Sequence, residues 1–72
     1  MNFLYQITTS AYAYTLYEEY NHIFLHVLNL RTEESTDVFG VAKLMDILSE
    51  DPEVDFEDLI EVDDIISILL SN

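Results

Sequence analysis

The chain has 72 residues, with fifteen Asp and Glu set against one arginine, Arg31, and one lysine, Lys43, for a formal net charge of −13. Two basic side chains satisfy neither a phosphate backbone nor anionic headgroups, so direct binding to nucleic acid or to an acidic membrane surface is excluded. Half of the residues are hydrophobic and the mean hydropathy is +0.14, unlike the low hydropathy of acidic disordered tails.

A chain this short forms one domain with a thin core, burying only about 60% of the surface its unfolded form exposes. With no cysteine it has neither a disulfide framework nor a thiolate metal site. It shows no basic n-region leading into an apolar stretch and cleavage site, and apolar runs such as residues 68–70 are far too short to span a membrane. Charge is uneven along the chain. Residues 1–30 hold only two acids, Glu18 and Glu19, together with all five tyrosines and both histidines; residues 31–72 hold the other acids and both bases. No repeat or Gly/Ser linker separates the two parts, so residues 1–72 read as a single domain, aromatic in 1–30 and acidic in 31–72.

In chain order, Phe3, Tyr5 and Ile7 predict a first strand. Tyr12, Tyr14 and Leu16 alternate with Ala11, Ala13 and Thr15, and Ile23, Leu25 and Val27 alternate with His22, Phe24 and His26, which predicts two more strands with one apolar and one mixed face. The tetrad Glu18-Glu19-Tyr20-Asn21 between them suits a hairpin loop, Asn21 tolerating a positive φ. Ala13, Leu16, Tyr17, Tyr20, Phe24, Val27 and Leu28 also fit one helical stripe, so residues 11–28 are hairpin or helix; their aromatic and β-branched content favours hairpin. Ser35, Thr36 and Asp37 then offer caps for a helix carrying Val38, Val41, Ala42, Met45 and Leu48, with Gly40 inside it at a packing contact. Pro52 stops that helix. Asp55 caps the next, with Asp58 in a capping-box position and Phe56, Leu59, Val62, Ile66 and Leu69 along one side, and a break at Asp63-Asp64 would divide it into two short helices. The expected fold is α+β: an N-terminal antiparallel β-hairpin or three-stranded sheet followed by two or three short acidic helices, with an all-α arrangement the alternative.

The chemical motifs are sparse. His22 and His26 would share a strand face about 13 Å apart, too far for one ion. The acid run from Glu50 to Asp58 puts Phe56 where a calcium loop starting at Asp51 needs glycine. Gly40 is the only glycine, no cysteine nucleophile exists and a thin domain leaves little room for a pocket, so no metal, cofactor or enzymatic activity is expected.

Two features remain. Glu50, Asp51, Glu53, Glu57, Asp58, Glu61 and Asp64 recur at helical spacing, which sets carboxylates roughly 5–6 Å apart along a line, comparable to the spacing of phosphates on a strand. The net charge exceeds the magnitude of about 2–8 that solubility asks of a small domain, and crowded like charges weaken the fold, which points to use of the field. The second feature is the tyrosine set. One face of a strand pair does not bury them all, so Tyr12, Tyr14, Tyr17 and Tyr20 are expected to mediate self-association, as a homodimer.

On the acids from Glu50 to Asp64, carried by a compact chain without cysteine or tryptophan, the sequence resembles the small acidic inhibitors encoded by bacteriophages and mobile elements, including anti-CRISPR proteins and DNA mimics. The resemblance implies a non-enzymatic, stoichiometric inhibitor in the host-cell cytoplasm. Such a protein docks on the basic nucleic-acid groove of a CRISPR effector or other defence nuclease. An antitoxin or immunity-type partner, or a structural interaction subunit without DNA mimicry, is the alternative.

Overall fold

The alternating apolar positions of the first 39 residues are satisfied by a sheet with one covered and one open face. The computed structural model describes residues 1–71. Its elements are β1 (Asn2–Thr8), β2 (Tyr12–Glu19), β3 (His22–Asn29), β4 (Ser35–Phe39), α1 (Val41–Glu50) and α2 (Phe56–Leu70). The strands form an antiparallel meander in the order β1-β2-β3-β4, and the fold is α+β. No described helix is long and apolar enough to cross a membrane.

The β2–β3 hairpin sets the register. Tyr20 and Asn21 both take positive φ, 52° and 65°, the backbone of a two-residue turn whose twist matches that of the flanking strands. The loop is therefore shorter than the tetrad expected, and Glu18 and Glu19 stay in β2. Leu16 pairs with Leu25 and Tyr14 with Val27; β1 adds Tyr5 opposite Leu16 and Ile7 opposite Tyr14, and β4 adds Val38 opposite Leu25. A bulge between Phe3 and Tyr5 shifts the start of β1. Both helices lie on this apolar face. Leu16, Leu25, Leu44, Leu48 and Val62 are the fully buried side chains, and Ile7, Tyr14, Val54 and Ile66 complete the core.

The fourth strand departs from expectation. Ser35, Thr36 and Asp37 do not cap a helix; they pair with Leu28, Val27 and His26, because extending the chain here lets Val38 cover Leu25 and Phe39 stack on Phe24. The β part therefore runs to Phe39 and not to residue 30. Gly40 lies outside the helix with φ 100°, turning the chain from strand to helix, and nothing lies within 4 Å of where a Cβ would sit. Its role is conformational, not the packing contact expected. With α1 starting at Val41, Leu44 and Leu48 face the core and Ala42 faces solvent. In α2, Val62 and Ile66 are buried, whereas Phe56 is 74% exposed instead of lining the core. The helix runs unbroken through Asp63-Asp64.

Gly40→Ala is expected to cost about 1–3 kcal/mol, since an L side chain disfavours this φ whatever the space around it. Thermal unfolding measures it: a drop of at least about 4 °C in Tm is expected, and an unchanged Tm would mean the strand–helix turn relaxes without strain.

Candidate functional site

The acidic residues concentrate in the helix layer. Ten of the fifteen acids lie between Asp46 and Asp64, with Lys43 the only base in residues 41–71. Among the described residues no carboxylate forms an ion pair with Lys or Arg, and the one acid–base contact is His26 Nδ1 to Asp37 Oδ1 at 2.7 Å on the open sheet face. The negative field of the helix layer is uncompensated.

The seven acids singled out from the sequence divide into two groups. Three bind the sheet. The Tyr14 hydroxyl donates to Asp51 Oδ2 at 2.6 Å, and Asp51 Oδ1 accepts the Glu53 backbone N–H at 2.9 Å. Glu53 accepts from the hydroxyl and backbone N–H of Ser10 in the β1–β2 loop. Asp58 accepts the Tyr5 hydroxyl at 2.6 Å across 53 residues of sequence, in place of the capping box expected of it. The other four, Glu50, Glu57, Glu61 and Asp64, are exposed and make no side-chain hydrogen bond to described residues. In α2 they belong to a stripe, Glu57, Ile60, Glu61, Asp64 and Ile68, at intervals that keep one helix face turned to solvent over about 16 Å. Ile60 and Ile68 are 44% and 64% exposed within it.

Beside these acids, Ala11, Tyr12, Tyr14, Val27, Ile47 and residues 50–53 line an open groove of about 460 Å³. Its Tyr12 and Tyr14 rings stack at 5.7 Å, and Glu50, Asp51 and Glu53 are the acids of its lining. Aromatic faces next to carboxylates suit a cationic side chain. The groove is more space than the sequence promised, and it lies between sheet and helices.

The tyrosines do not form one surface. Tyr12 and Tyr14 face the helix layer, with Tyr14 buried, while Tyr17 lies on the opposite sheet face and Tyr20, 88% exposed, in the hairpin turn. Tyr12 and Tyr14 therefore do not join Tyr17 and Tyr20 in the self-association surface expected, because successive side chains of a strand point to opposite faces and all even positions of β2 point inward. His22 and His26 share the open face, and no group of three His, Asp or Glu among the described residues is placed to hold a metal ion. The sequence missed the roles of Tyr5, Tyr14 and Ser10 as anchors for acids. The alternation showed that Tyr14 faces inward; which carboxylate it meets depends on the path of the α1–α2 loop.

Comparison with protein-family models, with curated proteins and with solved structures returns no match for this chain.

The two phenol–carboxylate bonds carry a pH signature. The hydrogen bond to Asp58, with burial and the nearby charges of Asp58 and Glu61 adding to it, pushes the Tyr5 hydroxyl from its ordinary value near 10 up to about 12. Burial first, and then the hydrogen bond to Asp51, push Tyr14 up as well. Because the folded state holds these protons beyond the pH at which the unfolded phenol releases them, the stabilisation from Tyr5 is complete below pH about 10 and is lost as pH rises through about 12, and that from Tyr14 has the same sign. Tyr14→Phe is expected to cost about 1.5–3 kcal/mol at neutral pH, as for a hydrogen bond to a charged group. Melting curves between pH 9 and pH 12 should show Tyr5→Phe losing stability less steeply than the parent chain; equal slopes would mean that the Tyr5–Asp58 bond is absent in solution.

Proposed function

We propose that the helix layer is a docking surface for a basic nucleic-acid-binding protein, and that the chain acts as a stoichiometric inhibitor occupying that protein's phosphate-binding groove, as on a CRISPR effector or other defence nuclease. The observation that carries this reading is the stripe of unpaired acids, Glu57, Glu61 and Asp64, on a layer without a Lys or Arg ion pair among the described residues. Acids kept only for solvation would be spread over the surface and interspersed with bases; here they converge on one side and are held apart from the near-neutral sheet face.

Charge and grip are divided between side chains. The field of the helix layer speeds encounter with a basic groove, and Ile60 and Ile68 between the acids offer apolar contact once water is displaced. The groove beside Tyr12 accepts a lysine or arginine of the target, with Glu50 the carboxylate of its lining that makes no side-chain hydrogen bond to described residues. Asp51, Glu53 and Asp58 contribute to the field while serving mainly to fasten the helices to the sheet.

The test begins with a basic protein captured from host lysate on the immobilised chain and then purified. Excess duplex DNA should release it, and its affinity should fall by at least about tenfold between 50 and 200 mM salt. The triple variant Glu57→Gln, Glu61→Gln, Asp64→Asn keeps shape and helix propensity, and should weaken binding roughly a hundredfold at low salt, each exposed pair being worth at most about 1 kcal/mol. Neutralising Glu33 and Glu34, in the β3–β4 connection, should change little. A target still bound in the presence of saturating DNA would point instead to an antitoxin-type partner with an open nucleic-acid site, and salt-independent affinity would remove charge mimicry.

A further inference from the structure

The sheet face turned away from the helices carries a row of aromatic rings that crosses all four strands. Phe3 of β1 meets Tyr17 of β2 edge-on at 6.4 Å, Tyr17 stacks on Phe24 of β3 at 5.5 Å, and Phe24 stacks on Phe39 of β4 at 5.2 Å. Phe24 is 5% exposed although no helix covers it, so its own neighbours on this face bury it; Phe3 and Phe39, at the two ends, are 60% and 58% exposed. On a small domain with little apolar surface to spare, an aromatic row left to water is an interaction surface.

We infer that this face binds a second copy of the chain, row against row, in an isologous face-to-face dimer. Charge selects the occupant. The face holds two acids, Glu19 and Asp37, beside two histidines, His22 and His26, with Asp37 hydrogen-bonded to His26; a basic partner is drawn to the helix layer and finds no field here. For the chain to associate with itself, by contrast, it must keep its net charge of −13 away from that of its copy. Sheet-to-sheet packing does so. Two sheets about 10 Å apart, each with its helices about 10 Å further out, place the acidic layers some 30 Å apart, about three Debye lengths at 0.1 M salt. Size agrees as well. Four strands spaced about 4.8 Å, with the longer ones about 26 Å in length, give a face of roughly 500 Å² per copy and about 1,000 Å² for the pair, at the lower limit of stable interfaces. An interface of this size suits a reversible dimer, and it leaves both helix layers outward and available.

Sedimentation equilibrium on the full chain from 1 to 200 μM tests this. The expected result is a reversible transition from 8.4 kDa to twice that mass, unchanged or strengthened by added salt. The Phe3→Thr, Phe39→Thr pair should weaken it about a hundredfold while the circular dichroism of the folded chain persists. Gln6→Glu is isosteric and lies on the same face opposite Thr15; it carries an unpaired carboxylate of each copy into the interface, where desolvation opposes it, and should shift the equilibrium to monomer even where the double variant is poorly folded. The variant Glu57→Gln, Glu61→Gln, Asp64→Asn should dimerise as well as the parent chain, which separates this interface from the acidic one. A monomer throughout the range, or a dimer indifferent to Gln6→Glu, would overturn the inference. So would loss of target binding, without any dimer, on changing Phe3 and Phe39.

Discussion

The pairing of Leu16 with Leu25 at the centre of the sheet is the contact on which everything else rests. Both side chains are about 1% exposed, and Leu44, Leu48 and Val62 close over them. Because strand side chains alternate, this one register also decides which face receives Tyr5, Tyr14 and Val38 and which receives Phe3, Tyr17 and Phe24. A slip of one residue would bury the histidines under the helices and turn the core leucines outward. The tight turn at Tyr20-Asn21 holds the register in place.

From that division follows the separation of charge from aromatic surface. The helices must cover the apolar face, and together with the loop between them they carry ten of the fifteen acids. Repulsion within the layer is tolerable because its inner edge is tied down: Asp51 and Asp58 each accept a tyrosine hydroxyl, and Glu53 accepts a serine. These are hydrogen bonds to charged acceptors, stronger than their neutral counterparts. The acids nearest the sheet thus help to hold the helices that bring the remaining acids together, which is how so small a core supports so large a net charge.

Much of the fold was legible in the sequence. The period-two patterns around Tyr14 and Leu25 competed with a helical stripe over residues 11–28, and it was the aromatic and β-branched content that pointed to two strands; Asp55 does stand at the start of α2, although its side chain makes no capping hydrogen bond. The fourth strand was not legible, because Ser35-Thr36-Asp37 carries the local chemistry of a helix cap and Val38 to Leu48 a helical spacing; tertiary contacts, Val38 over Leu25 and Phe39 stacked on Phe24, draw that segment into the sheet. Missing β4 also hid the aromatic row, one of whose ends it supplies. At the acidic site, composition and spacing identified the exposed stripe of α2 correctly as a face but treated every acid alike. Separating Glu57 from Asp58 requires knowing that Tyr5 lies beneath one of them.

The meander also has a consequence for the order in which the molecule assembles. Every strand pairs with its sequence neighbour, so the sheet is built from short-range contacts that a collapsing chain reaches early, with the β2–β3 hairpin closing the smallest loop. The union of α2 with β1, fastened by Tyr5 and Asp58 at opposite ends of the sequence, closes the longest one. Val62 and Ile66 are the buried residues of α2, and Leu59 and Ile65 pack half-buried beside them. This seam is therefore the last to close, and amide exchange of α2 set against that of the β2–β3 hairpin reads whether it is also the first to open.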